Sequence, residues 1–108
     1  MDGETKAQTF LEQKAYQVLD TNIRLRNREV DLIALDKKTN ELVFVEVKTR
    51  RTKAFGNPSL AVNQKKIRSL HTVARAYLKK YKLKNDYRFD IISITPKEIE
   101  HFKNITWP

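Results

Sequence analysis

The sequence predicts an α/β fold in which two helices flank a mixed sheet, in the order helix, three strands, helix, strand. Three observations carry this. Residues 16–50 hold three consecutive segments rich in β-branched and aromatic residues, separated by short turn-forming runs. Residues 64–81 repeat apolar positions at steps of three and four, the mark of an amphipathic helix. With 108 residues, two glycines and three prolines, the chain has length for one core and no composition suited to a linker, so a single domain over 1–108 is expected.

The elements follow in order. Residues 3–15 set Ala7, Phe10, Leu11 and Lys14 at helical spacing, with Glu4 in the first turn, where the helix dipole favours an acid. Tyr16 and Val18, then Ile23 and Leu25, mark a first strand interrupted by the turn-forming Asp20-Thr21-Asn22. REVDLIALD at 28–36 is a second strand and ELVFVEVKTR at 41–50 a third, joined by KKTN as a hairpin loop. Gly56, Asn57 and Pro58 break the pattern, and Asn63 is placed to cap a long helix running to about Tyr81. Its apolar stripe reads Ile67, Leu70, Ala74, Tyr77 or Leu78, and Tyr81; Lys65, Lys66, Arg68, Arg75, Lys79 and Lys80 occupy the other faces. Residues 87–96 form a further strand, and 99–108 an edge strand or a packed tail.

Charge narrows the function. Lys and Arg number 22 against 13 Asp and Glu, for a net charge of +9, which suits a polyanion: nucleic acid or an anionic membrane surface. No apolar run reaches the length of about 20 residues that a membrane helix needs, and no basic-then-apolar leader opens the chain, so a cytoplasmic protein without a membrane partner is expected. With no cysteine and only two histidines, thiolate sites are excluded and zinc is disfavoured. A metal here would be a hard cation held by carboxylates.

The chemistry concentrates on the second and third strands. If KKTN is the loop, antiparallel partners have residue numbers that sum to 77, and Leu35 faces Leu42, Ile33 faces Phe44, Asp31 faces Glu46 and Glu29 faces Lys48, all on one side of the sheet. Two carboxylates directly opposite each other repel unless a cation lies between them. Val43, Val45 and Val47 cover the other face of the third strand, so it reads as central and buried, where unpaired carboxylates are costly. Asp31 and Glu46 would hold Mg²⁺ or Mn²⁺, which lowers the pKa of a bound water, and Lys48 would position or activate the nucleophile for phosphodiester hydrolysis. A solvated strand face is the competing reading.

Asp31 followed by Glu46-Val47-Lys48 resembles the D…(E/D)xK signature of the PD-(D/E)XK nuclease superfamily. More closely, GE at 3–4, REVDLIAL at 28–35, FVEVKTRR at 44–51, FGNPSLAVNQKKIRSL at 55–70 and RFDI at 88–91 resemble the YraN-type family of predicted endonuclease-like proteins. The resemblance implies a restriction-endonuclease-like core, metal ligation by Asp31 and Glu46, catalysis by Lys48, and supporting roles for Glu29, Gln64 and Glu4. Its similarity to Holliday junction resolvases in core layout implies branched DNA, by analogy of fold. The chain departs from the family pattern at Arg28, where glycine is usual before the residue aligned with Glu29.

Each supporting residue also has a plainer role: Glu29 as an ion-pair partner of Lys48, Gln64 as a solvent-facing helix residue, Glu4 as a helix-dipole acid. Arg50, Arg51 and Lys53 follow the catalytic strand and could clamp phosphates, with Lys65, Lys66 and Arg68 extending that surface. Tyr77 and Tyr81 are expected in the core, Trp107 as a terminal anchor and His71 on a helix flank. No exposed aromatic platform is legible, which argues against a single-strand-binding module. The expected activity is sequence-independent DNA cleavage; a non-catalytic nucleic-acid-binding module and an RNA-directed nuclease are the alternatives. A homodimer would supply the second site that paired cuts require.

Overall fold

The computed structural model describes residues 2–51 and 64–105, apart from the side chains of Gln64, Lys66 and Ile67. The sequence reading at Lys53, Asn63 and Trp107 lies outside the described residues, as do the side-chain roles of Gln64 and Lys66. The described residues form seven elements: α1 (Gly3–Glu12), β1 (Tyr16–Leu25), β2 (Arg28–Asp36), β3 (Glu41–Thr49), α2 (Gln64–Lys80), β4 (Tyr87–Ile94) and β5 (Ile99–Phe102). The strands form one open sheet in the order β1-β2-β3-β4-β5. Among the described residues only β3 and β4 pair in parallel, joined by the crossover that carries α2, so the sheet is mixed as expected.

The helices cover opposite faces. Ala7 and Leu11 of α1 pack on Leu32, Ala34, Val43, Val45, Ile92 and Ile94. Val73, Ala74 and Tyr77 of α2 pack on Ile33, Leu42, Phe44 and Phe89. The central position of β3 follows from its sequence: Leu42 through Val45 are all buried, a run that only a strand covered on both sides can satisfy.

Several local expectations are corrected. Helix α1 ends at Glu12, three residues short of the expected span, and is capped by Asp2, whose Oδ1 accepts from the Thr5 amide at 2.8 Å. Strand β1 is not interrupted by a turn at Asp20-Thr21-Asn22. A register shift between Val18 and Asp20 absorbs the irregularity as a bulge that leaves Leu19 exposed, while Asn22 takes a positive φ of 49° within the strand. Tyr77 is buried, but Tyr81 is 48% exposed and not part of the core. The helix ends before it: Lys82 adopts φ 55°, and the Leu83 amide returns to the Leu78 carbonyl at 2.9 Å, a Schellman closure that folds Leu83 inward.

Candidate metal and nucleic-acid site

The site lies where β2 and β3 part. Their backbone ladder runs from Asp36↔Glu41 to Leu32↔Val45, every pair obeying the sum of 77. One step further, at the level of Asp31 and Glu46, a side chain replaces the ladder: Asp31 Oδ2 accepts the Val47 amide at 2.8 Å. Glu29 and Lys48, two residues further along, lie outside the ladder, and Lys48 Nζ is found 3.2 Å from Glu46 Oε1. The expected placement of Glu29 directly across from Lys48 is therefore not the arrangement the ladder makes. Alternation along β2 also breaks at Asp31: Val30 joins the α2-side cluster with Ile33, whereas Leu32 and Ala34 lie on the α1 side.

Beside the divergence is a cavity of about 260 Å³ lined by Glu29, Asp31 and Glu46 together with Phe44, Leu70 and Phe89. Three of the expected acids thus border one space with an apolar wall. Glu4 approaches from α1, because Gly3 lets the helix start close against β3; a Cβ at Gly3 would collide with Thr49 Oγ1. The electrostatics register this convergence. Burial pushes the Asp31 carboxyl above the usual aspartate range, and the charges of Glu4 and Glu46 push it the same way, against the Val47 hydrogen bond and Lys48.

The residue types fit a hard divalent cation: two carboxylates, one of them held by a backbone amide, in a setting that disfavours negative charge. Among the described residues, no three Asp, Glu or His side chains converge tightly enough to cage a metal on their own. Mg²⁺ needs no such cage, since it keeps several waters and binds through one or two carboxylates. Of the expected phosphate-binding residues, Arg51, Lys65 and Arg68 are exposed and Arg50 is half-buried.

Sequence reasoning missed the other polar centre. Arg88, buried on β4, donates from Nη1 to Asp36 Oδ2 (2.9 Å) and Glu41 Oε1 (2.8 Å), from Nε to Asp90 Oδ1 (3.1 Å) and from Nη2 to Tyr16 Oη (2.8 Å). Asp90 also meets His101 Nε2 at 2.6 Å and accepts the Asn104 amide at 2.9 Å, which ties β5 and the following segment to β4. Burial alone would raise the Asp36 carboxyl, but the Arg88 and Lys38 hydrogen bonds outweigh it and hold the group low. The available signal was the alternation Arg88-x-Asp90 in a strand otherwise apolar enough to be buried on both faces.

These features sit within a known family. The model of the Uncharacterised protein family UPF0102 matches residues 3–94. The chain belongs to that family. A UPF0102 protein of Geobacter sulfurreducens is 46% identical over 108 residues, covering 94% of this chain and 83% of the relative. One from Phocaeicola vulgatus is 39% identical, with 99% and 90% covered, and one from Thermotoga petrophila is 38% identical, with 96% and 93% covered. The YraN-type resemblance is thereby borne out at the level of UPF0102. The matched stretch includes Glu4, Glu29, Asp31, Glu46, Lys48 and Arg88 with Tyr16, Asp36, Glu41 and Asp90.

Proposed function

We propose that this UPF0102 protein is a metal-dependent endonuclease of the PD-(D/E)XK type, on a single restriction-endonuclease-like domain, cutting DNA without sequence preference, with branched or damaged DNA as the favoured substrate. The observation that carries the reading is the meeting of Asp31, Glu46 and Lys48 where β2 and β3 part, with Asp31 destabilised as an anion. Asp31 and Glu46 would hold Mg²⁺ or Mn²⁺, and the ion would supply charge neutralisation and an activated water. Lys48, 3.2 Å from Glu46, is placed to orient the attacking water or the scissile phosphate. Glu29 borders the same cavity and Glu4 adds to its negative field, which supports auxiliary roles for both. Arg50, Arg51, Lys65 and Arg68 would contact the phosphate backbone, and a homodimer would allow paired cuts. A cytoplasmic location accords with nucleic acid as partner, and no helix among the described residues is long and apolar enough to cross a membrane.

Purified protein should cut at least one of duplex, flapped, four-way or RNA substrates with Mg²⁺ or Mn²⁺, stop with EDTA, and lose cutting but not binding in Lys48→Ala. Failure on the whole panel with both metals removes the catalytic reading. A second reading, a non-catalytic binding module on a nuclease fold, draws on the net charge of +9, which favours nucleic acid whether or not it is cut. Tight, salt-dependent binding with no turnover would favour it.

A further inference from the structure

Between Glu46 and Asp86 the sequence contains no acidic residue, while it places twelve of the chain's 22 Lys and Arg there. Helix α2 lies within this stretch, so its surface lacks the alternating charges that normally stabilise an exposed helix through ion pairs three or four residues apart. Its far end concentrates the effect. Lys79, Lys80, Lys82 and Lys84 are exposed around Tyr81, itself 48% exposed. Tyr81 is not a loose side chain. Its ring packs on Tyr77 at a centroid distance of 4.7 Å, and Tyr77 Oη donates to Asp20 Oδ2 at 2.7 Å. Lys80 Nζ lies 5.4 Å from the Tyr81 ring centre, and the Lys82–Leu83 closure fixes the backbone on the other side. The Asp20 carboxylate at this end accepts from Tyr77.

An exposed, backed aromatic ring among ammonium groups suits an unpaired base with its flanking phosphates; intact duplex hides its base faces inside the stack. We infer that the C-terminal end of α2 is a landing site for a single-stranded segment of nucleic acid, one base stacking on Tyr81 while Lys79, Lys80 and Lys82 hold the adjacent phosphates. It lies about 15 Å along the helix from Leu70, which lines the cavity with Asp31 and Glu46. The inference rests on the nucleic-acid reading of that cavity and sharpens it: the preferred substrate carries a single-stranded portion a few nucleotides from the cut.

The test is fluorescence anisotropy on the full chain, in EDTA so that no cleavage intervenes, with a labelled single-stranded oligodeoxynucleotide of about 16 residues and the corresponding blunt duplex. The single strand should bind more tightly. Tyr81→Ala should weaken it by about 5- to 100-fold with little change for duplex, Tyr81→Trp should preserve it, and Lys79→Ala with Lys80→Ala should lower the slope of affinity against salt. Unchanged single-strand affinity in Tyr81→Ala, or equal binding of duplex by wild type, overturns the inference even if wild type cleaves DNA. Selective, Tyr81-dependent binding without any cleavage upholds it and removes only the catalytic reading.

Discussion

Asp31 Oδ2 accepts the Val47 amide at 2.8 Å, so a side chain on β2 fastens β3 where their backbone ladder has ended. The bond gives Asp31 a defined orientation while burial and the charges of Glu4 and Glu46 work against its ionisation.

Asn at position 31 keeps a carbonyl oxygen for the Val47 amide and removes the negative charge. Asp31→Asn should leave the fold and nucleic-acid binding intact and lower cleavage by at least about 100-fold, the scale of losing several kcal/mol of metal-borne stabilisation. Single-turnover cleavage beside anisotropy reads both quantities. A variant that cuts at wild-type rate takes Asp31 out of the chemistry.

Stability should move the other way. Because the folded-state pKa of Asp31 is raised, the protonated form is favoured by folding; this stabilisation is complete below the ordinary aspartate value of 3.8 and is lost as pH rises through the raised pKa. Without metal, Asp31→Asn should therefore melt above wild type at neutral pH, with the gap closing in acid. Thermal melts across pH check this, and saturating Mg²⁺ should narrow the neutral-pH gap by stabilising wild type alone.

Arg88 holds three carboxylates and the Tyr16 hydroxyl together. Arg88→Met strands buried Asp36 and Asp90, and should cost about 3–5 kcal/mol in urea unfolding. Arg88→Lys should recover only part of this, since one ammonium cannot reproduce the guanidinium fork. A loss below about 1 kcal/mol would mean that the network relaxes around the gap.

Tyr77 donates to Asp20 at 2.7 Å, and burial followed by that bond pushes its phenol well above the ordinary value of 10.0. The stabilisation is present below pH 10 and is lost as pH rises toward the raised pKa. Tyr77→Phe should cost about 1.5–3 kcal/mol at neutral pH, the range for a hydrogen bond to a charged group, and lack this alkaline loss. Urea denaturation at neutral pH and above pH 10, wild type against variant, gives the comparison.

Much of the architecture was determined by sequence alone, because it depends on short-range periodicity. The four-residue KKTN loop set the register of β2 against β3, and the run Leu42–Val45 set β3 at the sheet's centre. Spacing also nominated Asp31, Glu46 and Lys48, and the motif resemblance gave those residues a chemistry. Tertiary structure decided where the strands part and which distant partners meet. The ladder of β2 with β3 ends at Leu32↔Val45, short of Glu29 and Lys48, and beyond it the Asp31 carboxylate takes the Val47 amide. Arg88 found Asp36 and Glu41 some fifty residues away, a relation that no local pattern encodes. Tyr81 fits the α2 stripe by number, yet the helix stops at Lys80 and Leu83 takes the inward place, which left an aromatic ring on the basic surface.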